Sequence, residues 1–258
     1  MEQRIIKTDA KEIFTKTNLP GADYVINQYV GCSHNCSYCY ARFMARWKGY
    51  GGWGTWLKAK MNAPELVKGR QVKGQVFMSS VSDAYQSTEK DLELTRRILD
   101  NLNKSTQLSI LTKSNLVLRD MDLLKEFENV EVGFTINSFE GKKKELFEHN
   151  SPTNNERIET MKILKENGIK TFAFISPIIP GLIDIEEIIG QTKEIADYYW
   201  FEAINLRGAG KEFTEILETN YPESLRLVRD KHLFADYIES LRKKVVRSGI
   251  KTKGIEIH

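Results

Sequence analysis

From about Tyr24 onward the chain alternates short apolar runs with amphipathic helical patterns, which restricts it to folds built from repeated strand-helix units on a parallel sheet. Strands are expected at residues 23–29, 75–79, 107–112, 130–136, 170–176 and 199–206. Helices are expected at 37–47, at 90–102 on the spacing of Leu92, Leu94, Ile98, Leu99 and Leu102, and in a segment with Leu123, Leu124 and Phe127 that Ser114 or Asn115 would cap. Others are expected at 155–167, closed by Gly168, at 185–196, and within 225–247. Six consecutive units suit an α/β fold with an open partial (β/α)6 barrel, because a closed eight-unit barrel needs more strands than the sequence offers. A chain of 258 residues can form this as one domain: an arm over 1–22 packed across the barrel, a core over 23–206 and a helical extension over 207–258.

All three cysteines lie in the loop after the first strand, in the run VGCSHNCSYCYAR. Cys32, Cys36 and Cys39 can converge on one soft metal centre, and with no fourth cysteine a four-iron cube held there would keep one iron open to a substrate or cofactor. Zinc with His34 as fourth ligand is the competing reading, although structural zinc usually draws on two separated ligand pairs. Three cysteines cannot all pair as disulfides, and a charged, non-secretory N-terminus points to a reducing compartment.

Composition supports a cytoplasmic globular protein without a membrane partner: 41% hydrophobic and 28% charged residues, with no apolar run long enough to span a bilayer. A formal net charge of +3 neither requires nor opposes a polyanionic partner.

Reactive groups in such folds gather at the carboxyl ends of the parallel strands. There the chain carries SSVSDAYQSTEKDLELTRRIL after the second strand, ILTKSNLVLRDMDLL after the third, FTINSFE after the fourth and SPIIPGL after the fifth. With the cysteine loop, these runs resemble the radical S-adenosylmethionine (SAM) superfamily, in the branch that includes spore photoproduct lyase and the proteins labelled DNA repair photolyase. The resemblance covers about residues 27–206. It implies an open partial barrel, a [4Fe-4S] cluster whose open iron chelates SAM, and an external flavodoxin- or ferredoxin-like electron donor. It also implies cleavage of SAM to a 5'-deoxyadenosyl radical that abstracts hydrogen from a substrate, with nucleic acid the first class and a peptide or small metabolite the second. A zinc-stabilised nucleic-acid-binding module is the non-enzymatic alternative.

Carried over by position, the resemblance puts Cys32, Cys36 and Cys39 on the cluster with Tyr38 against its face, and Ser79 and Ser80 at the SAM amino group. It puts Lys113 and Thr135 at the methionine carboxylate or ribose, Arg157 near the cofactor, and the turn opening at Ile178 against adenine. Lys113 also has a physical argument, since a lysine directly after the apolar strand LSILT must snorkel or meet an anion. Lesion-repairing members of the branch use a further cysteine as hydrogen donor; here no thiol is left, and Tyr40 and Tyr85 are the candidate substitutes.

Asp83, Tyr85, Gln86 and Glu89 could orient substrate or cluster, or part of the set could form a helix start with Ser87 and Thr88. On the sixth strand, Asn205 and Arg207 are favoured over Glu202 as mouth residues. Tyr40, Phe43, Trp47, Tyr50, Trp53 and Trp56 lie among Arg42, Arg46, Lys48, Lys58 and Lys60. This segment is either a base-stacking surface or a seal that keeps water and oxygen from the cluster.

Overall fold

The computed structural model describes residues 3–257, apart from the side chains of residues 46–48, so Met1, Glu2 and the expected aromatic Trp47 with its neighbours Arg46 and Lys48 lie outside the described residues. The strands are β1 (Arg4–Thr8), β2 (Phe14–Lys16), β3 (Tyr24–Ile26), β4 (Tyr29–Val30), β5 (Trp56–Lys60), β6 (Gln75–Met78), β7 (Gln107–Thr112), β8 (Val130–Ile136), β9 (Lys170–Ile178), β10 (Tyr198–Ala203) and β11 (Thr252–Glu256). One sheet has the order β11-β10-β9-β8-β7-β6-β3-β2 and is not closed; the other has the order β1-β5-β4. From β3 to β11 the large sheet is parallel, and β2 runs antiparallel at its edge. The six expected strand-helix units are present as an open partial barrel.

Alternation along each strand divides the side chains between two faces. Val76, Met78, Leu108, Ile110, Val132, Phe134, Ala173, Ile175, Tyr199 and Phe201 join the main apolar cluster beneath the helices. Phe77, Ser109, Gly133, Thr135, Phe172, Phe174, Trp200 and Glu202 fall on the opposite, inner face of the curved sheet. Near the amino ends, the Phe172 ring stacks on Tyr198 at 4.9 Å. A Cβ on Gly133 would stand 2.1 Å from Phe172 Cζ, so glycine leaves the space this ring fills.

Several boundaries differ from expectation. The expected strand at 23–29 is two strands in different sheets, because Asn27 and Gln28 use their side chains on neighbouring segments. Asn27 Oδ1 accepts from the Ser80 backbone N–H at 2.8 Å, and Gln28 Nε2 donates to Thr95 Oγ1 at 2.9 Å. The expected helix at 90–102 breaks at Glu93, which has φ of +49°; the second half is capped by the Glu89 carboxylate, which accepts from Thr95 N and Arg96 N. The final helix is likewise two, Pro222–Arg229 and Lys231–Ser248, because Asp230 caps the second by accepting from His232 N and Leu233 N. The 207–258 extension is therefore not wholly helical, and it ends in β11, parallel to β10. The expected arm is divided too: β1 pairs with β5 in the small sheet, and β2 edges the large one. Among the described residues no helix is long and apolar enough to cross a membrane.

Gly133→Ala forces the pinned Phe172 ring to move and is expected to lower the unfolding free energy by about 1–3 kcal/mol in urea titrations. Phe172→Leu in the same chain should recover part of the loss; equal stability of Gly133→Ala and parent would show that the ring is not held.

Candidate functional site

The cysteine loop begins where β4 crosses β5. Gly31 has φ of +96°, and a Cβ there would meet the Trp56 carbonyl oxygen at 2.6 Å, so the loop can start only from glycine. Cys32 and Cys36 are buried and Cys39 is partly so. Val30, Ala41, Trp53 and Trp56 cluster with Cys32, with Cys39 and Tyr50 packed alongside, so the buried Trp53 and Trp56 are not available for stacking bases. Tyr40 and Phe43 are exposed.

Burial pushes all three thiols upward, Cys36 to about 12 despite the pull of nearby Lys113, so a metal that binds here must displace protons. Among the described residues no three His, Cys, Asp or Glu side chains converge to hold a single metal ion. Three thiols on one short loop that do not converge on a single point suit separate irons of a polynuclear cluster better than one shared ion. His34, the fourth ligand of the zinc reading, is turned to other partners: its Nε2 is 3.3 Å from Asp83 Oδ2, without hydrogen-bond alignment, and its Nδ1 is 3.4 Å from the Asn150 carbonyl oxygen.

Backbone contacts fix the loop from two sides. Ser33 N donates to Gln86 Oε1 at 2.8 Å, and Gln86 Nε2 donates to Gly31 O at 3.3 Å. From the other side, Ser37 N donates to Phe147 O at 3.0 Å, and Asn150 Nδ2 donates to Ser33 O at 3.2 Å. Phe147 lies in the helix Lys142–Glu148, which the sequence analysis missed.

Glu148 ends that helix almost without solvent contact. Its carboxylate accepts from the hydroxyl of Tyr38, Asn137 Nδ2 (3.0 Å), Ser151 Oγ (3.2 Å) and the Arg157 guanidinium. Lys113 Nζ stands 4.0 Å from Glu148 Oε1 and 5.7 Å from the centre of the Tyr38 ring. Burial alone would raise the Glu148 carboxyl, but the charges of Arg157 and Lys113 outweigh it and hold the group at about 2. Burial would lower Lys113, yet Cys36 and Glu148 outweigh it and raise the ammonium.

The structure places Lys113 near Tyr38 and Cys36, and it ties several other expected residues into the surrounding protein. Arg157 is buried with its N–H groups on Glu148, Ser151 Oγ, the Thr135 carbonyl (2.9 Å) and the Pro152 carbonyl (2.7 and 3.0 Å), so its guanidinium braces the site. Tyr85, expected as a hydrogen donor, is buried within the main apolar cluster near Asp120 and Glu89 and does not reach the mouth, because the chain turns inward after Asp83. Tyr40 does reach it, and its hydroxyl donates to the Ser80 carbonyl.

Ser79 takes a φ of +68° at the strand end, and its hydroxyl donates to Gln28 Oε1 at 3.3 Å; Ser80 is tied to Asn27. Thr135 and Ile178 are buried at the carboxyl ends of β8 and β9. Asn205 caps a short helix by accepting from Gly208 N, whereas Glu202 lies on the inner face and accepts from Ser176 Oγ at 2.7 Å, reversing the order of preference expected on that strand. Glu148 was missed because nothing in KKKELFEHN separates it from exposed Glu145; the distinguishing contact is with Tyr38, 110 residues earlier.

The radical SAM superfamily model matches residues 26–191, and the chain belongs to that superfamily. It is therefore a radical SAM enzyme, a family that uses SAM and an iron-sulfur cluster. The chain is 54% identical to the uncharacterized protein MJ0683 of Methanocaldococcus jannaschii over 98% of each chain. It is 29% identical to the uncharacterized protein ORF301 of Acidianus two-tailed virus, covering 75% of this chain and 71% of that one. Among solved structures it resembles spore photoproduct lyase complexed with dinucleoside spore photoproduct, at TM-score 0.63 and 16% identity, and a form of that enzyme with bound AdoMet and the same dinucleoside, at TM-score 0.62 and 17% identity. Each match covers 84% of this chain but only 66% of the lyase, and at that identity the likeness is one of fold.

The depressed Glu148 carboxyl sets an acid limit on stability. Its contribution is complete above the usual carboxylate value near 4.5 and is lost as pH falls from there toward about 2. Glu148→Gln is expected to cost roughly 3–5 kcal/mol near neutral pH. It should also flatten the loss of stability between pH 4.5 and 2 in urea titrations; an unchanged acid slope would show that the ion pair does not couple to folding.

Proposed function

We propose that Cys32, Cys36 and Cys39 hold a [4Fe-4S] cluster with one open iron, that SAM binds at the carboxyl ends of β6 to β9, and that hydrogen is abstracted from a substrate entering beside Tyr40. The observation that carries this reading is a set of three cysteines on one loop, two of them buried and the third partly so, with the Lys113 ammonium near Cys36. When bound, the cluster and SAM supply electron transfer and the hydrogen-abstracting group, while the protein supplies orientation and exclusion of water. Lys113 offers its charge to the SAM carboxylate, and the Trp53 and Trp56 wall keeps the thiols dry. Tyr38 is fixed by Glu148, and Ser80 fixes the Tyr40 hydroxyl at the mouth. An external flavodoxin- or ferredoxin-like protein provides the electron. Nucleic acid is the substrate class to test first, on the likeness of fold alone.

After anaerobic reconstitution, Cys36→Ala is expected to lose the cluster iron and sulfide and all SAM cleavage, since a cube on two thiolates has lost a bond that His34, held by Asp83, does not replace. A colourless parent holding one zinc would overturn the proposal.

With reductant, SAM and dinucleoside spore photoproduct, the reconstituted protein is expected to form 5'-deoxyadenosine without efficient return of thymine, because its three cysteines are all on the loop and leave no further thiol to donate hydrogen. Multiple-turnover repair, followed by chromatography of both products, would show that Tyr40 or another group takes that role.

A further inference from the structure

The carboxylate of Glu148 meets two buried cations unequally. One oxygen, Oε2, is taken by the Arg157 guanidinium and by Ser151 Oγ at 3.2 Å. The other, Oε1, is taken by the Tyr38 hydroxyl and by Asn137 Nδ2 at 3.0 Å. Lys113 is left 4.0 Å away, close enough to be held electrostatically but without a hydrogen bond to Glu148. The other nearby carboxylate, Asp83, is engaged by Tyr85 N (2.8 Å), Thr112 Oγ1 (2.7 Å) and the backbone N–H of Lys113 (2.8 Å), so it fixes the main chain of the lysine. A lysine is a flexible point charge, and its direction must be imposed from outside.

We infer that Glu148 is a positioning residue for Lys113: it masks the charge of Arg157 and, with Oε1 occupied by Tyr38 and Asn137, holds the ammonium beside Cys36 ready for an anionic group. This rests on the proposed placement of cluster and SAM, and the anion is the SAM carboxylate. The arrangement gives a sign that charge alone would not. Removing a carboxylate strengthens anion binding if only the field matters, whereas it weakens binding if the carboxylate aims the lysine.

The test measures SAM affinity by equilibrium binding to the reconstituted, unreduced protein, together with the reduction potential of the cluster. Glu148→Gln is expected to weaken SAM binding by on the order of tenfold while shifting the potential upward, because a negative charge has gone. Lys113→Met should also weaken binding, and the double variant should bind no more weakly than Lys113→Met alone, since Glu148 acts through the lysine. Tyr38→Phe frees Oε1 for Lys113 to close upon and should weaken binding with the Glu148–Arg157 pair intact, which keeps the proposal testable if Glu148→Gln fails to fold.

Tighter or unchanged SAM binding in Glu148→Gln, or full additivity with Lys113→Met, would overturn the proposal. A parent protein that takes up neither iron nor SAM refutes the site reading instead. In that case the unloaded protein still tests Glu148: Lys113→Met should recover part of the stability lost in Glu148→Gln, and no recovery would refute the coupling.

Discussion

A carboxylate out of contact with water keeps its charge only where cations and donors close around it, and Glu148 draws them from across the chain. Tyr38 comes from the cysteine loop, Lys113 from the end of β7, Asn137 from the end of β8, and Ser151 and Arg157 from the turn and helix that follow. These segments meet at one charge, so none can shift without exposing or orphaning it. The helix that carries Glu148 also accepts the backbone N–H of Ser37 through Phe147, which ties the cysteine loop to the same point.

On the opposite side of the loop, a second group of buried polar residues performs the same task with neutral and charged partners. Asp83 joins the ends of β6 and β7, Gln86 bonds the loop backbone, and Glu89 accepts from the hydroxyl of Tyr29, from Thr95 N and from Arg119 Nη2 at 2.8 Å. The run SDAYQSTE is therefore a brace for the cysteine loop. Its carboxylates are spent on backbone N–H groups, the Tyr29 and Thr112 hydroxyls and Arg119, and the reading in which they orient substrate finds no support in these contacts. Asp83 is held well below the carboxylate range: burial would raise it, but His34, Thr112 and the Lys113 N–H outweigh that effect.

The parallel strands were legible because a strand buried on both faces is written as a local run of apolar residues, as in LSILT and VEVGFTI. The thiols were legible because the whole set sits in one loop. What was not legible depends on partners far apart in sequence. Leu94, Ile98 and Leu99 continue a helical stripe through Glu93, and only the reach of Glu89 to Thr95 N shows that the helix restarts there. β11 reads TKGIE, too short and polar to suggest a strand, and it exists because β10 presents an open edge. Tyr85 and Arg157 were placed by position in a motif, which does not tell whether a side chain points to the mouth or into the packing. Tyr85 is separated from Tyr40 by burial, and Arg157 from Lys113 by the hydrogen bonds that engage its guanidinium.

The two ends of the barrel treat buried charge differently, and that difference supports the proposed site at the carboxyl ends. At the amino ends Glu131 accepts from Tyr198 at 2.8 Å and pairs with Lys170 at 3.1 Å and Lys253 at 3.6 Å, and both lysines keep about half of their side chains in water. Lys253 covers the Tyr198 ring at 4.4 Å, so this end is plugged by groups whose surplus charge the solvent already answers. At the carboxyl ends Lys113 has little solvent and no hydrogen bond to Glu148, while Arg157 has been matched. An ammonium with little solvent and no hydrogen bond to Glu148 keeps donors to offer an anion brought from outside. Burial holds the Cys36 thiol up, and the nearby Lys113 charge is what pulls it back toward thiolate; the same charge favours a carboxylate next to it.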